Sequence, residues 1–399
     1  MTEQGHTLIL LPWLKLESPV TVCKIGFASY KKDQVPAVFQ PYGDDIARIL
    51  ASYCDIKGNP ISQCILGYFQ NGDACKNLTD AEVLRVNETA QLLAFCGLSR
   101  NEYFAQLGDY TNSTAFQVFF QRFSPGSELI ALTIRRRDGE TLSGGYKHGE
   151  IKFSIPVQCA HLELCRVDLP LLEAFNKCLD SPDAQVGRLV QAMSLYDQAH
   201  TDSDAVMSRR EVILIASAFE QLFANCNGAD DLACKVSSLL DNYGSIKVGT
   251  SARSSMIQFS KGREKQEGDW FIHRKWAQEL YQMRNDFTHG NEIARRRWGW
   301  SITEHLVMAS FMFPLLVKIL LAESSNYILT KTDLNHMKAI DHLLDLTGWS
   351  EESEEDRNNT KWRELMLKHE LNHALDDAFE RAWNKLEGEH DRKKDDEEQ

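Results

Sequence analysis

The chain lacks the short signatures that mark many enzyme classes. Its ten cysteines include no CxxC pair and no metal-like grouping, so a thioredoxin-type redox motif and the common zinc knuckles have no footing. No P-loop string, GxGxxG fingerprint or GxSxG elbow occurs, which leaves nucleotide-phosphate cradles and α/β-hydrolase chemistry without support. The glycine-rich stretch Ser143–Glu150 reads as a hairpin turn rather than a phosphate loop. The Met1 end shows no basic region followed by an apolar stretch, so no secretory signal is expected. The longest apolar run, Leu306 to Val317, contains Pro314 and is too short to span a bilayer; it predicts a buried helix. Together these point to a cytoplasmic protein with reduced thiols, several packed as small hydrophobes, and no membrane partner.

The composition is that of a globular protein, with 43% hydrophobic and 25% charged residues. At 399 residues it can bury a large core. The net charge is −13, but it is unevenly spread. From Glu351 to Gln399 there are 17 acidic residues against 9 basic, a net of −8. From Lys261 to Trp298 there are 9 basic against 6 acidic, a net of +3. The acidity sits in a tail, and the basic region is compatible with a polyanionic substrate.

The predicted fold class is α+β, in three parts. Residues 1–180 are strand-rich, with the apolar, β-branched segments "TLILLPWLKL" and "PVTVCKIGFASY", the later strands "AFQVFFQRF" and "ELIALTIRRR", and two helices near Asp44–Cys54 and Asp80–Cys96. "LDSPDAQ" marks a junction. Residues 181–330 carry helical periodicity: Val186, Leu189, Val190 and Met193; Val212, Ala216, Phe219 and Phe223; Trp276, Leu280, Met283 and Phe287. Four or five helices with short connections imply a bundle, interrupted by a loop from Gly244 to Gly268. Residues 331–399 form a helical, acidic C-terminal extension.

The stretch "YQMRNDFTHGN" (Tyr281–Asn291) is where chemistry is expected. Arg284 lies beside the apolar stripe, and Gly290 suits the residue after a helix end. Five residues subtend about 140° on a helix, so Arg284 and His289 do not face one another unless the helix ends between them or another surface closes the pocket. Two readings stay open. Arg284 and His289 are an ordinary helix terminus, or they act on a phosphate. "ARRRW" follows, and Arg295, Arg296 and Arg297 with nearby tryptophans suit either a solvated surface run before the next helix or a nucleic-acid strand. Glu220, in "AFEQL", is placed to face the site from a neighbouring helix or to pair with a base. Asp286 falls off the apolar stripe and receives no role.

"MRNDFTHG" resembles the R-polar-x3-H motif of the HEPN superfamily, four-helix-bundle proteins that include many ribonucleases. "REVILIASAFEQLF", followed some 60 residues later by "ELYQMRNDFTHG", is similar to the ApeA-like branch, prokaryotic proteins linked to antiphage defence. The resemblance covers roughly residues 186–323. It implies an RNA endonuclease needing no metal or other cofactor, with Arg284, His289 and Asn285 as site residues, Asn285 orienting Arg284 or the pocket backbone rather than touching the proton. It also implies a homodimer whose site forms between two bundles, RNA as substrate and a phage-derived trigger.

Two alternatives stand beside it. One is a non-catalytic HEPN-like interaction module. The other is a zinc peptidase built on His369-Glu370-x-x-His373. On a helix those histidines point away from the stripe of Leu367, Leu371, Leu375 and Phe379, which argues against a walled metal cleft.

Overall fold

The computed structural model describes residues 5–100, 110–178, 184–250, 268–290 and 299–345. Strands come first and helices after, a mixed α+β architecture. Seven strands make one antiparallel sheet: β1 (His6–Leu11), β2 (Val20–Val22), β3 (Ile25–Lys31), β5 (Gln63–Phe69), β6 (Phe119–Phe123), β7 (Leu129–Arg135) and β8 (Thr141–Lys147). Their order is β2-β3-β5-β1-β6-β7-β8, and β4 (Tyr53–Cys54) pairs in parallel with β9 (Phe153–Ser154). The central strand β1 is an unbroken apolar run because both of its faces are covered. Ile9 and Leu11 join Phe27 and Ile65 on one face; Leu8 and Leu10 join Tyr30 and Leu66 on the other. That second face is closed by α1 (Gly43–Leu50) through Ile46, Ile49 and Leu50.

Two expectations change here. Ser143–Lys147 lies inside β8, paired with β7, and the turn falls earlier at Arg136–Glu140 around Gly139, whose φ is 89°. Two adjacent glycines can extend as readily as they turn; the cross-strand register with β7 settled the matter. The first helix stops at Leu50, and Tyr53 and Cys54 become β4 because Phe153 and Ser154 offer them a partner.

The other sheet face packs on α2 (Asp80–Leu98), which begins in a Thr79–Glu82 capping box, and on α3 (Leu169–Cys178). The helical region follows: α4 (Ala184–Ala199), α5 (Ser208–Leu222), α6 (Ala229–Leu240), α7 (Ile272–His289), α8 (Ile302–Glu323) and α9 (Lys331–Asp345). The apolar run expected to be short is part of this 22-residue α8, opened by a Ser301–Glu304 capping box. By length and composition α8 could cross a membrane, yet 78% of its most apolar window is buried within the protein. Phe313 explains why. Its ring stacks on Tyr196 of α4 at 4.7 Å and meets Phe219 of α5 at 5.3 Å and Phe95 of α2 at 6.0 Å. One buried cluster therefore runs from the sheet through α2 to α9, across residue 180. It includes Met337, Ile340, Leu343 and Leu344 of α9, so the first part of the 331–399 extension belongs to the core. Seven of the ten cysteines are buried and none is in a disulfide. The junction Leu179–Asp183, most of the 244–268 loop, and residues 346–399 with His369 and His373 lie outside the described residues.

Candidate active site

Helix α7 is anchored by Trp276, Ala277, Leu280 and Met283, all buried, with Phe287 half-buried at the end of the stripe. Trp276 meets Phe219 of α5 at a ring distance of 5.7 Å. Gly290 ends the helix in the left-handed conformation (φ 67°, ψ 23°), its N–H donating to the Asp286 carbonyl. His289 is thus the last helical residue, and it is exposed. Asp286 departs from expectation: it is buried, at 7% exposure. It stands one turn beyond Met283 and is buried with it, which the apolar pattern alone did not reveal.

Arg284 is held from three sides. Its Nη1 donates to Asn285 Oδ1 at 2.9 Å. Its Nη2 lies 3.6 Å from Glu220 Oε2 of α5, a partly exposed ion pair. Its guanidinium carbon stands 5.3 Å from the Tyr281 ring centre, and the Tyr281 hydroxyl donates to Glu220 Oε1 at 3.4 Å. Burial, and then the charge of Glu220, raise the Tyr281 phenol, which keeps it a donor. Burial pushes the nearby Cys226 thiol up to about 11, so it stays protonated. Arg284 Nε is buried and has no hydrogen-bond partner among the described residues. Glu220, weighed in sequence for this place, does face Arg284; Tyr281 was missed, although its i,i+3 spacing from Arg284 was the available signal.

The structure does not join every expected residue. No described hydrogen bond or ion pair links His289 to Arg284. Arg295, Arg296 and Arg297 fall outside the described residues. Among those described, no group of three or more His, Cys, Asp or Glu side chains has the arrangement of a metal site.

Comparison with protein-family models, with curated proteins and with solved structures finds no match. The case for function therefore rests on the side chains themselves.

A second polar centre lies at the other end of α7. His273 is fully buried, with Nδ1 2.7 Å from Asp341 Oδ1 and Nε2 3.2 Å from Asp241 Oδ1. The other oxygen of Asp341 accepts the N–H groups of Ser245 and Ile246 at 2.7 and 2.9 Å. His273 has 1% of its side chain exposed, so a substrate cannot reach it. This centre fastens the segment after α6 and the α9 helix to the first turn of α7. At the opposite end of α7, Thr288 and His289 are exposed.

Proposed function

We propose that the chain is an RNA endonuclease of the HEPN kind, working without a metal in the cytoplasm of a prokaryote and serving antiphage defence. The observation that carries this is a guanidinium oriented by Asn285, Glu220 and Tyr281 at the open end of a helix whose last residue is an exposed histidine. RNA brings its own nucleophile. The 2′-OH attacks the adjacent phosphorus, the P–O5′ bond breaks, and a 2′,3′-cyclic phosphate and a 5′-OH remain. An imidazole takes the 2′ proton, and a protonated imidazole returns one to the departing 5′-oxygen. Arg284 offers a planar fork to the phosphorane oxygens as they gain charge. The Glu220 pair partly neutralises Arg284 and fixes its plane, which limits its freedom before the phosphate arrives.

One helix aims Arg284 and His289 in different directions, so the reading includes a homodimer with two copies of the motif around one phosphate. The expected result is cleavage that survives EDTA, leaves a 2′,3′-cyclic phosphate and is lost in His289→Ala. Products ending in a 3′-OH, or loss of cleavage on chelation, would sink the mechanism.

The second reading is a non-catalytic interaction module. It is favoured by the Glu220 ion pair, which already occupies Arg284, and by the lack, among the described residues, of any link from His289 to that cluster. RNA that stays intact with the wild-type protein, while the protein still dimerises, would select it.

A further inference from the structure

We infer that Arg209, at the start of α5, is a contact for a phosphate flanking the one that Arg284 holds, an inference that rests on the RNA-cleaving reading above. The guanidinium carbon of Arg209 stands 5.7 Å from the centre of the Phe287 ring. Phe287 lies on α7 between Arg284 and His289, so Arg209 reaches the same helix end from a different element. Glu220 near the end of α5 pairs with Arg284, whereas Arg209 at its start touches Phe287, further along α7; the two helices are therefore antiparallel here. Arg209 and Glu220 are about 16 Å apart along the α5 axis, at 1.5 Å per residue. Glu220 belongs to the Arg284 cluster, and Arg209 sits at the other end of α5.

The two arginines differ in what they are free to do. Arg284 is half-buried and is engaged by Asn285 and Glu220. Arg209 is exposed and has no carboxylate partner among the described residues. A ring face steadies a guanidinium, for a gain of roughly 0.5–1 kcal/mol at an exposed site, without using its N–H donors. Arg209 thus keeps its donors for a ligand while Phe287 limits its motion. A polyanionic strand crossing the helix end needs cations at successive phosphates, and Arg284 serves only one. Arg210 has the same charge, is equally exposed and has no described ring contact, which makes it the matched control.

The probe is a fluorescein-labelled single-stranded RNA of mixed sequence, titrated by anisotropy against full-length protein carrying His289→Ala to prevent cleavage. Adding Arg209→Ala should weaken binding about 3–10-fold and lower the dependence of log K on log salt by about 0.7, the loss of one phosphate contact on a single strand. Arg209→Lys should retain most of the salt dependence, and Arg210→Ala should change the Kd less than about twofold, within the general charge effect. In the chain with His289 intact, Arg209→Ala should raise KM more than it lowers kcat. Unchanged affinity and salt slope for Arg209→Ala, or an equal loss for Arg210→Ala, overturns the assignment. If His289-dependent cleavage persists in that case, only the Arg209 assignment falls. If the wild-type chain neither binds nor cleaves the RNA, the ribonuclease reading falls and takes the assignment with it.

Discussion

Arg284 illustrates how a weak string becomes a specific arrangement. A cation beside an apolar stripe needs a reason to stay in one orientation, because a long side chain loses roughly 1.5–2 kcal/mol of rotamer entropy when fixed. Asn285, Glu220 and Tyr281 supply that reason through contacts at 2.9, 3.6 and 5.3 Å. The ion pair itself adds little, since both partners are more than a quarter exposed. Its value is geometric: it turns the guanidinium plane. Under the ribonuclease reading, Arg284→Lys keeps the charge and loses the fork. It should lower kcat/KM by about 10²–10³-fold, measured in single-turnover RNA cleavage. A loss under about threefold would mean that Arg284 acts only as a point charge.

At the scale of the element, α4 carries a buried carboxyl that the helix does not need for its own geometry. Asp197 is 6% exposed, and neither of its oxygens has a hydrogen-bond partner among the described residues. Burial raises its carboxyl well above the ordinary 3.8. The folded protein then holds a proton that the unfolded chain releases above about pH 4, so stability falls as pH rises from there. Three residues on, burial instead pushes the His200 imidazole down to about 4. That ring lies 2.7 Å from the Tyr196 carbonyl and 2.6 Å from Ser310 Oγ. Its slope is opposite: stability falls as pH drops from 6.5 toward 4, because the unfolded chain binds the proton first. Asp197→Asn removes only the first slope. Its unfolding free energy, measured in urea, should coincide with that of wild type near pH 4 and exceed it increasingly up to neutral pH, by about 1 kcal/mol or more. A gap that does not change with pH would show that Asp197 is charged and compensated.

For the whole molecule, the central question is whether strands and helices are one cooperative unit. Lys318 of α8 answers through chemistry as Phe313 does through packing. Its Nζ lies 2.7 Å from Asp168, just before α3, and 2.7 Å from Asp333 of α9, with Tyr327 donating to Asp333 at 2.9 Å. The two carboxylates raise the Lys318 ammonium against the opposing effect of burial, and it in turn lowers Asp333. Lys318→Met would leave two buried carboxylates without their cation, at a cost of about 3–5 kcal/mol. Thermal unfolding followed by far-UV and near-UV circular dichroism should show one coincident transition in both proteins, lowered by several degrees in the variant. Two separated transitions in wild type would mean that the sheet and the helices unfold independently. The proposed shared site belongs to the same scale. Sedimentation should find a dimer, and cleavage per protomer should fall on dilution as the dimer dissociates; full activity in a persistent monomer would rule out completion in trans.

Local periodicity was enough to place most elements. Apolar runs rich in β-branched or aromatic residues became β1, β6 and β7, and the 3.6-residue spacing of Trp276, Leu280 and Met283 became the buried side of α7. Gly290 could be read as a helix end because few other residues accept a positive φ at low cost. These are properties of short segments, written in neighbouring residues. What depends on segments distant in the chain was decided only by tertiary structure. Two glycines in β8 extend because β7 lies beside them, and Asp286 is buried although no apolar pattern includes it. Arg284 meets Glu220 across 64 positions, and Arg209 reaches Phe287 across 78. Such pairings follow from how amphipathic faces pack together, and no local pattern encodes which faces will meet.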